Sequence, residues 1–101
     1  VIILKKAAIA GSLLLSSPVF AGDPIAGRQE AYLCESCHGR AGISEGPMTP
    51  NLAGQKKDYL VKALKDFRSG ARRNTFMSSV AASLSDNDIN NVAAYFSNMK
   101  R

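Results

Sequence analysis

Five consecutive residues, Cys34-Glu35-Ser36-Cys37-His38, limit this chain more than any other feature of its sequence. C-x-x-C-H is the pattern at which a c-type haem is attached. Two thiols must each reach one vinyl group of the same porphyrin, so they stand three positions apart on neighbouring turns of a helix end. The adjacent imidazole of His38 then points at the iron as an axial ligand. The chain has two cysteines and one histidine in all, which leaves room for one haem. Other chemistries also use paired cysteines. A zinc site needs four ligands, and Cys34, Cys37 and His38 make three with no conventional fourth nearby. A thioredoxin-like dithiol needs a βαβ pattern, and no stretch reads as a strand. A structural disulfide is the remaining minor alternative; the rest of the chain favours haem.

The 101 residues allow one domain at most. Lys5-Lys6 precedes an apolar run from Ala7 to Leu15, Ser16-Ser17-Pro18 breaks it, and Val19-Phe20-Ala21 follows. A positive start, a short apolar stretch and a small residue at the cut describe a secretory signal peptide over 1–21. The uncharged run is shorter than the roughly 20 residues that span a bilayer. The expected mature unit is therefore 22–101, located in the periplasm, where covalent haem is attached and thiols would otherwise oxidise. A unit of that size is small for an unassisted core, and a buried porphyrin would supply apolar surface that the side chains lack.

The full chain carries a net charge of +5. Without Lys5 and Lys6, 11 basic residues face 8 acidic ones, a net +3, and two ionised haem propionates would bring that to about +1. Lys56-Lys57 and Arg72-Arg73 are short pairs in place of the sustained basic stripe that nucleic acid requires, so no nucleic-acid partner is expected. They read as a solvated face, with steering toward an acidic redox partner as the second reading.

The expected helices follow from caps and periodicity. Asp23 suits an N-cap and Pro24 the first helical position, opening a helix that runs through Leu33 to the haem motif. Gly27 within it is a poor helix former, explained if another helix crosses closely there. Gly39, Gly42, Gly46, Pro47 and Pro50 mark a loop. An iron-bound imidazole needs an acceptor for its other N–H, and Pro50, at the end of that loop, is the candidate to present a backbone carbonyl. Tyr59, Leu60, Ala63, Leu64 and Phe67 repeat along one helical face, ending at Gly70. Residues 71–83 read as irregular, with short helical structure at most around 78–82. Ser85 then caps a last helix with Asp88 completing a capping box, its apolar face formed by Ile89, Val92, Ala93 and Phe96. This helix is the expected crossing partner of Gly27.

Three methionines, Met48, Met77 and Met99, compete for the other side of the iron. Met99 reads as a terminal apolar residue of a helix. Met48 lies in the loop that must serve the histidine face. Met77 follows far enough along the chain to wrap around a porphyrin and is preferred, with Met48 kept as the alternative. A thioether is a soft ligand that raises the reduction potential relative to a second histidine.

In this order, Cys34-x-x-Cys37-His38, Pro50-Asn51-Leu52-Ala53-Gly54-Gln55, Phe76-Met77, Leu84-Ser85-Asp86 and Ala93-Ala94-Tyr95-Phe96 resemble the class I c-type cytochromes. The similarity is greatest to small bacterial periplasmic monohaem members and to one half of the dihaem ones. The resemblance implies an all-α fold, three to four helices wrapped around one covalent haem, with the N- and C-terminal helices crossing. It implies Cys34 and Cys37 as attachment points, His38 and Met77 as iron ligands, and the Pro50 carbonyl as partner of the histidine. It further implies a monomeric one-electron carrier, not an enzyme, working with membrane respiratory complexes, an oxidase, a peroxidase or a dehydrogenase. The alternatives are a haem subunit docked to a dehydrogenase, and an open-site haem enzyme or gas sensor, against which the absence of a second histidine argues.

Overall fold

The computed structural model describes residues 22–101, so the signal-peptide reading of 1–21 lies outside the described residues. Five helices follow one another: α1 (Pro24–Glu30), α2 (Tyr32–His38), α3 (Lys57–Ser69), α4 (Thr75–Ala82) and α5 (Asp86–Ser97). The described residues contain no strand, which agrees with the all-α expectation. None of their helices is long and apolar enough to cross a membrane.

The crossing of α1 and α5 organises the molecule. Asp23 caps α1, its Oδ1 accepting the Ile25 N–H at 2.9 Å, with Pro24 next to it. The Asp23 N–H in turn donates to Asn91 Oδ1 at 2.9 Å, fixing the start of α1 against the middle of α5. Gly27 is buried at the contact. A Cβ there would collide with the Asn91 carbonyl and stand 3.0 Å from Tyr95 Cβ. The helix penalty of glycine is therefore offset by an approach between backbones that no other residue permits. On α5, Ser85 and Asp88 form the expected capping box, with the Ser85 N–H donating to Asp88 Oδ2 and the Asp88 N–H to Ser85 Oγ, both at 3.0 Å. Ile89, Val92, Ala93, Ala94 and Phe96 are buried along it.

Two departures from the sequence reading raise the helix number from the expected three to four to five among the described residues. The first expected helix is divided at Ala31. The Cys34 N–H already reaches back to the Ala31 carbonyl at 2.8 Å, one residue short of α-helical spacing. No glycine or proline announces this kink. It is a tertiary effect: Ala31 is fully buried in a cluster with Leu60, Val92, Ala93 and Phe96. The second departure is α4, which begins at Thr75 within a segment expected to be irregular. Asn74 is the reason, since its Oδ1 accepts the N–H groups of both Phe76 (3.0 Å) and Met77 (2.9 Å).

Helix α3 packs on α4 and α5, and Gly70 ends it in the left-handed conformation. Arg68, in its last turn, donates to the Leu84 carbonyl at 2.9 Å and to Asp86 Oδ1 at 2.5 Å, so the end of α3 is tied to the start of α5.

Candidate haem site

Helix α2 carries the motif. Cys34 is half-buried and packs against the core cluster, Cys37 is exposed, and neither forms a disulfide. Burial pushes the Cys34 thiol up to about 11, with Glu35 and Cys37 adding to the shift. His38 ends the helix and is only 6% exposed, the one polar side chain in the buried set of the described residues. Its Nδ1 lies 2.7 Å from the Pro50 carbonyl oxygen. A carbonyl can only accept, so Nδ1 carries the proton and donates, leaving the lone pair on Nε2 for a metal.

The loop that brings Pro50 back to His38 is built by its glycines and its backbone. Gly39 takes a φ of 87°, and a Cβ there would run into the Ile43 carbonyl. The Gly42 carbonyl accepts from both the Leu52 N–H (2.8 Å) and the Ala53 N–H (3.0 Å). The end of the loop is joined to α5 by the Gly54 N–H, which donates to the Phe96 carbonyl at 3.0 Å. The structure thus brings the Pro50 carbonyl to His38.

The methionines fall in three different settings. Met99 packs against the core cluster. Met48 is 91% exposed on the loop. Met77 is half-buried in the first turn of α4, its N–H held by Asn74. Sequence reasoning missed Asn74, although an Asn-Thr pair before an apolar stretch is an ordinary helix-start pattern. It also missed Ser44, and gave Asn51 no role beyond its place in the Pro50–Gln55 motif; the two are joined by a hydrogen bond (Ser44 N–H to Asn51 Oδ1, 2.7 Å).

These residues fit a covalent haem. Two unpaired thiols stand at the attachment spacing, and a buried imidazole has one nitrogen satisfied and one available. Large apolar side chains on the segments flanking the motif and Met77, namely Tyr32, Leu33, Ile43 and Phe76, are exposed in the polypeptide itself, which suits a chain that shares its core with a porphyrin.

Comparison with known proteins decides the family. Residues 26–96 match the family described as cytochrome c oxidase, cbb3-type, subunit III. The chain belongs to it, among the class I c-type cytochromes. Haem c is the covalent cofactor of these cytochromes, and Cys34, Cys37 and His38 fit its attachment motif. Cytochrome c4 from Pseudomonas aeruginosa is 42% identical over 80 residues, covering 79% of this chain and 40% of the relative. Cytochrome c-554(548) from Halomonas halodenitrificans is 40% identical over 83 residues, covering 79% of this chain and all of the relative. The chain therefore spans about two fifths of the cytochrome c4 relative and the whole length of the smaller one. Among solved structures, cytochrome c4 from Acidithiobacillus ferrooxidans matches with a TM-score of 0.72 at 29% identity, over 89% of this chain and 57% of that one. Thiosulfate dehydrogenase (TsdBA) from Marichromatium purpuratum matches with a TM-score of 0.74 at 31% identity, over 89% of this chain and 23% of that one. This cytochrome thus has the fold that the order of its motifs implied.

Proposed function

We propose that residues 22–101 form a one-electron carrier of the periplasm, exported by a signal peptide over 1–21, with haem bound through Cys34 and Cys37 and its iron held by His38 and Met77. The bound haem supplies a reversible one-electron change at iron. The chain's own part is to keep two ligands in place in both oxidation states. The observation that carries the reading is the contact between His38 Nδ1 and the Pro50 carbonyl, because it fixes ring orientation and leaves Nε2 as the donor. Were Met77 to supply the second ligand, iron would keep no position for a substrate, which favours a carrier over an enzyme.

The likeness to a part of thiosulfate dehydrogenase (TsdBA) supports a dehydrogenase as electron donor, and it is also what favours the second reading, a haem subunit held in such a complex. The basic residues around α3 fit a solvated face better than a nucleic-acid surface. Lys62 pairs with Asp66, Arg68 with Asp86, and the Arg72 guanidinium lies 4.5 Å from the centre of the Phe67 ring.

The deciding experiment is the optical spectrum of the oxidised protein, in the far-red band given by sulfur bound to ferric iron. Met77→Ala should abolish that band and Met48→Ala should leave it; the reverse result overturns the ligand assignment. Rapid, tight binding of carbon monoxide to the reduced wild-type protein at neutral pH would overturn the carrier in favour of an open-site enzyme or sensor. Co-purification with a dehydrogenase at native levels separates the docked subunit from the free carrier.

A further inference from the structure

The Pro50 carbonyl is only as good an acceptor for His38 as its aim allows, and a proline in a glycine-rich loop cannot fix its own carbonyl. The peptide that carries it, between Pro50 and Asn51, is gripped from its C-terminal side. Asn51 Oδ1 accepts the Ser44 N–H at 2.7 Å. Ser44 is attached in turn to the haem helix: its Oγ lies 3.3 Å from the Cys37 carbonyl and 3.3 Å from that of Gly46, its single proton serving one at a time, while it accepts the Gly46 N–H at 3.0 Å. Cys37 adjoins His38 and Asn51 adjoins Pro50, so the contacts close a ring: His38, Pro50, Asn51, Ser44, Cys37. Beyond Asn51, the Leu52 and Ala53 amides clamp the chain onto Gly42.

We infer that Asn51, acting through the Ser44 backbone, is a positioning residue that aims the Pro50 carbonyl at His38 Nδ1 and so sets how strongly the imidazole donates to iron. This rests on the reading of His38 as axial ligand. A firm Nδ1–H to carbonyl bond makes the ring a stronger donor, which favours the ferric state and lowers the reduction potential. A slack bond does the opposite. The side chain is used through its Oδ1 alone, so an acid at the position keeps the contact and alanine removes it.

The test uses the haem-loaded protein and proton NMR. In the reduced state, exchange of the His38 Nδ1 proton with solvent should be about fivefold faster in Asn51→Ala, the factor that one ordinary hydrogen bond is worth. The reduction potential of Asn51→Ala should rise. Asn51→Asp should restore slow exchange, and Ser44→Ala, which keeps the backbone N–H but loses the Oγ contacts to Cys37 and Gly46, should speed exchange less than Asn51→Ala does. Wild-type exchange and potential in Asn51→Ala would overturn the inference, as would fast exchange in Asn51→Asp equal to that in Asn51→Ala. Should Asn51→Ala not load haem, Asn51→Leu gives the same comparison. Failure of the ligand reading itself shows separately: the His38 ring protons of oxidised wild type would lack the large shifts that a bound paramagnetic iron imposes.

Discussion

The two residues proposed to hold iron are themselves held by different physics. His38 is buried, its ring nitrogen is engaged by a carbonyl, and the loop supplying that carbonyl is joined to α5 through Gly54 and Phe96. The histidine side is therefore an extension of the α1–α5 crossing. Met77 sits at the exposed start of α4, beside a Phe76 that is 79% exposed, its N–H held by the Asn74 side chain in a helix that packs on α3. The histidine is buried with its ring engaged, whereas the methionine is half-buried in the capped first turn of a helix. Under the ligand set proposed above, His38 would be the more deeply anchored ligand and Met77 the one nearer a helix start, where local opening is easiest.

The strongest attempt to break this contrast is Gly27→Ala. The new Cβ meets backbone at Asn91, which cannot step aside as a side chain would. A loss of about 3 kcal/mol, the upper end of overpacking costs, is expected in denaturant unfolding. Helical signal and sulfur ligation should be lost together, because the crossing underlies both. Asn74→Ala should remove about 1 kcal/mol, as loss of an N-cap does, and should separate the sides: the far-red sulfur band should fade at a lower denaturant concentration than the helical signal. Coincident loss would show that α4 is as firmly held as α2.

A smaller effect probes the crossing alone. One carboxyl oxygen of Glu30, at the end of α1, is buried with no hydrogen-bond partner among the described residues. Desolvation first, then Asp88, raises the pKa of Glu30 above the ordinary glutamate range. Asp88 is lowered, chiefly by the Ser85 backbone N–H. A raised carboxyl stabilises the fold when protonated, and this is lost as pH rises through its folded value. A lowered carboxyl stabilises when ionised, and this is lost as pH falls through its folded value. The melting temperature should therefore rise slightly from neutral pH into mild acid and then fall at stronger acid. Glu30→Gln should abolish the rise and keep the fall; a rise that survives would assign it to another group. Least of all, Lys62→Ala should cost no more than about 0.5 kcal/mol and disturb neither side, since its pairing with Asp66 is a surface i,i+4 contact.

What could be read from the chain beforehand was what depends on neighbouring residues. The C-x-x-C-H spacing, the Asp23-Pro24 and Ser85-Asp88 caps, and the apolar faces of α3 and α5 are local patterns, and each stands where its pattern put it except for Tyr59, which α3 leaves exposed while burying Leu60 and Phe67. Gly27 was legible because a glycine inside a helix needs a reason from outside it. The kink at Ala31 was not legible, since it arises from packing against α3 and α5 and leaves no mark in the local composition. The start of α4 was misread because the arginines and Asn74 look like loop residues until the asparagine turns back as a cap. Ser44 and Asn51 meet seven positions apart across a turn, a distance at which no periodicity operates.

Five of the eleven buried apolar residues of the described structure, Ile89, Val92, Ala93, Ala94 and Phe96, belong to α5. A chain cut before α5 would lose these five residues, the helix that α1 crosses and the Phe96 carbonyl that holds the Gly54 N–H, so both thiols would remain on a polypeptide whose α1 and haem loop have no surface to close on.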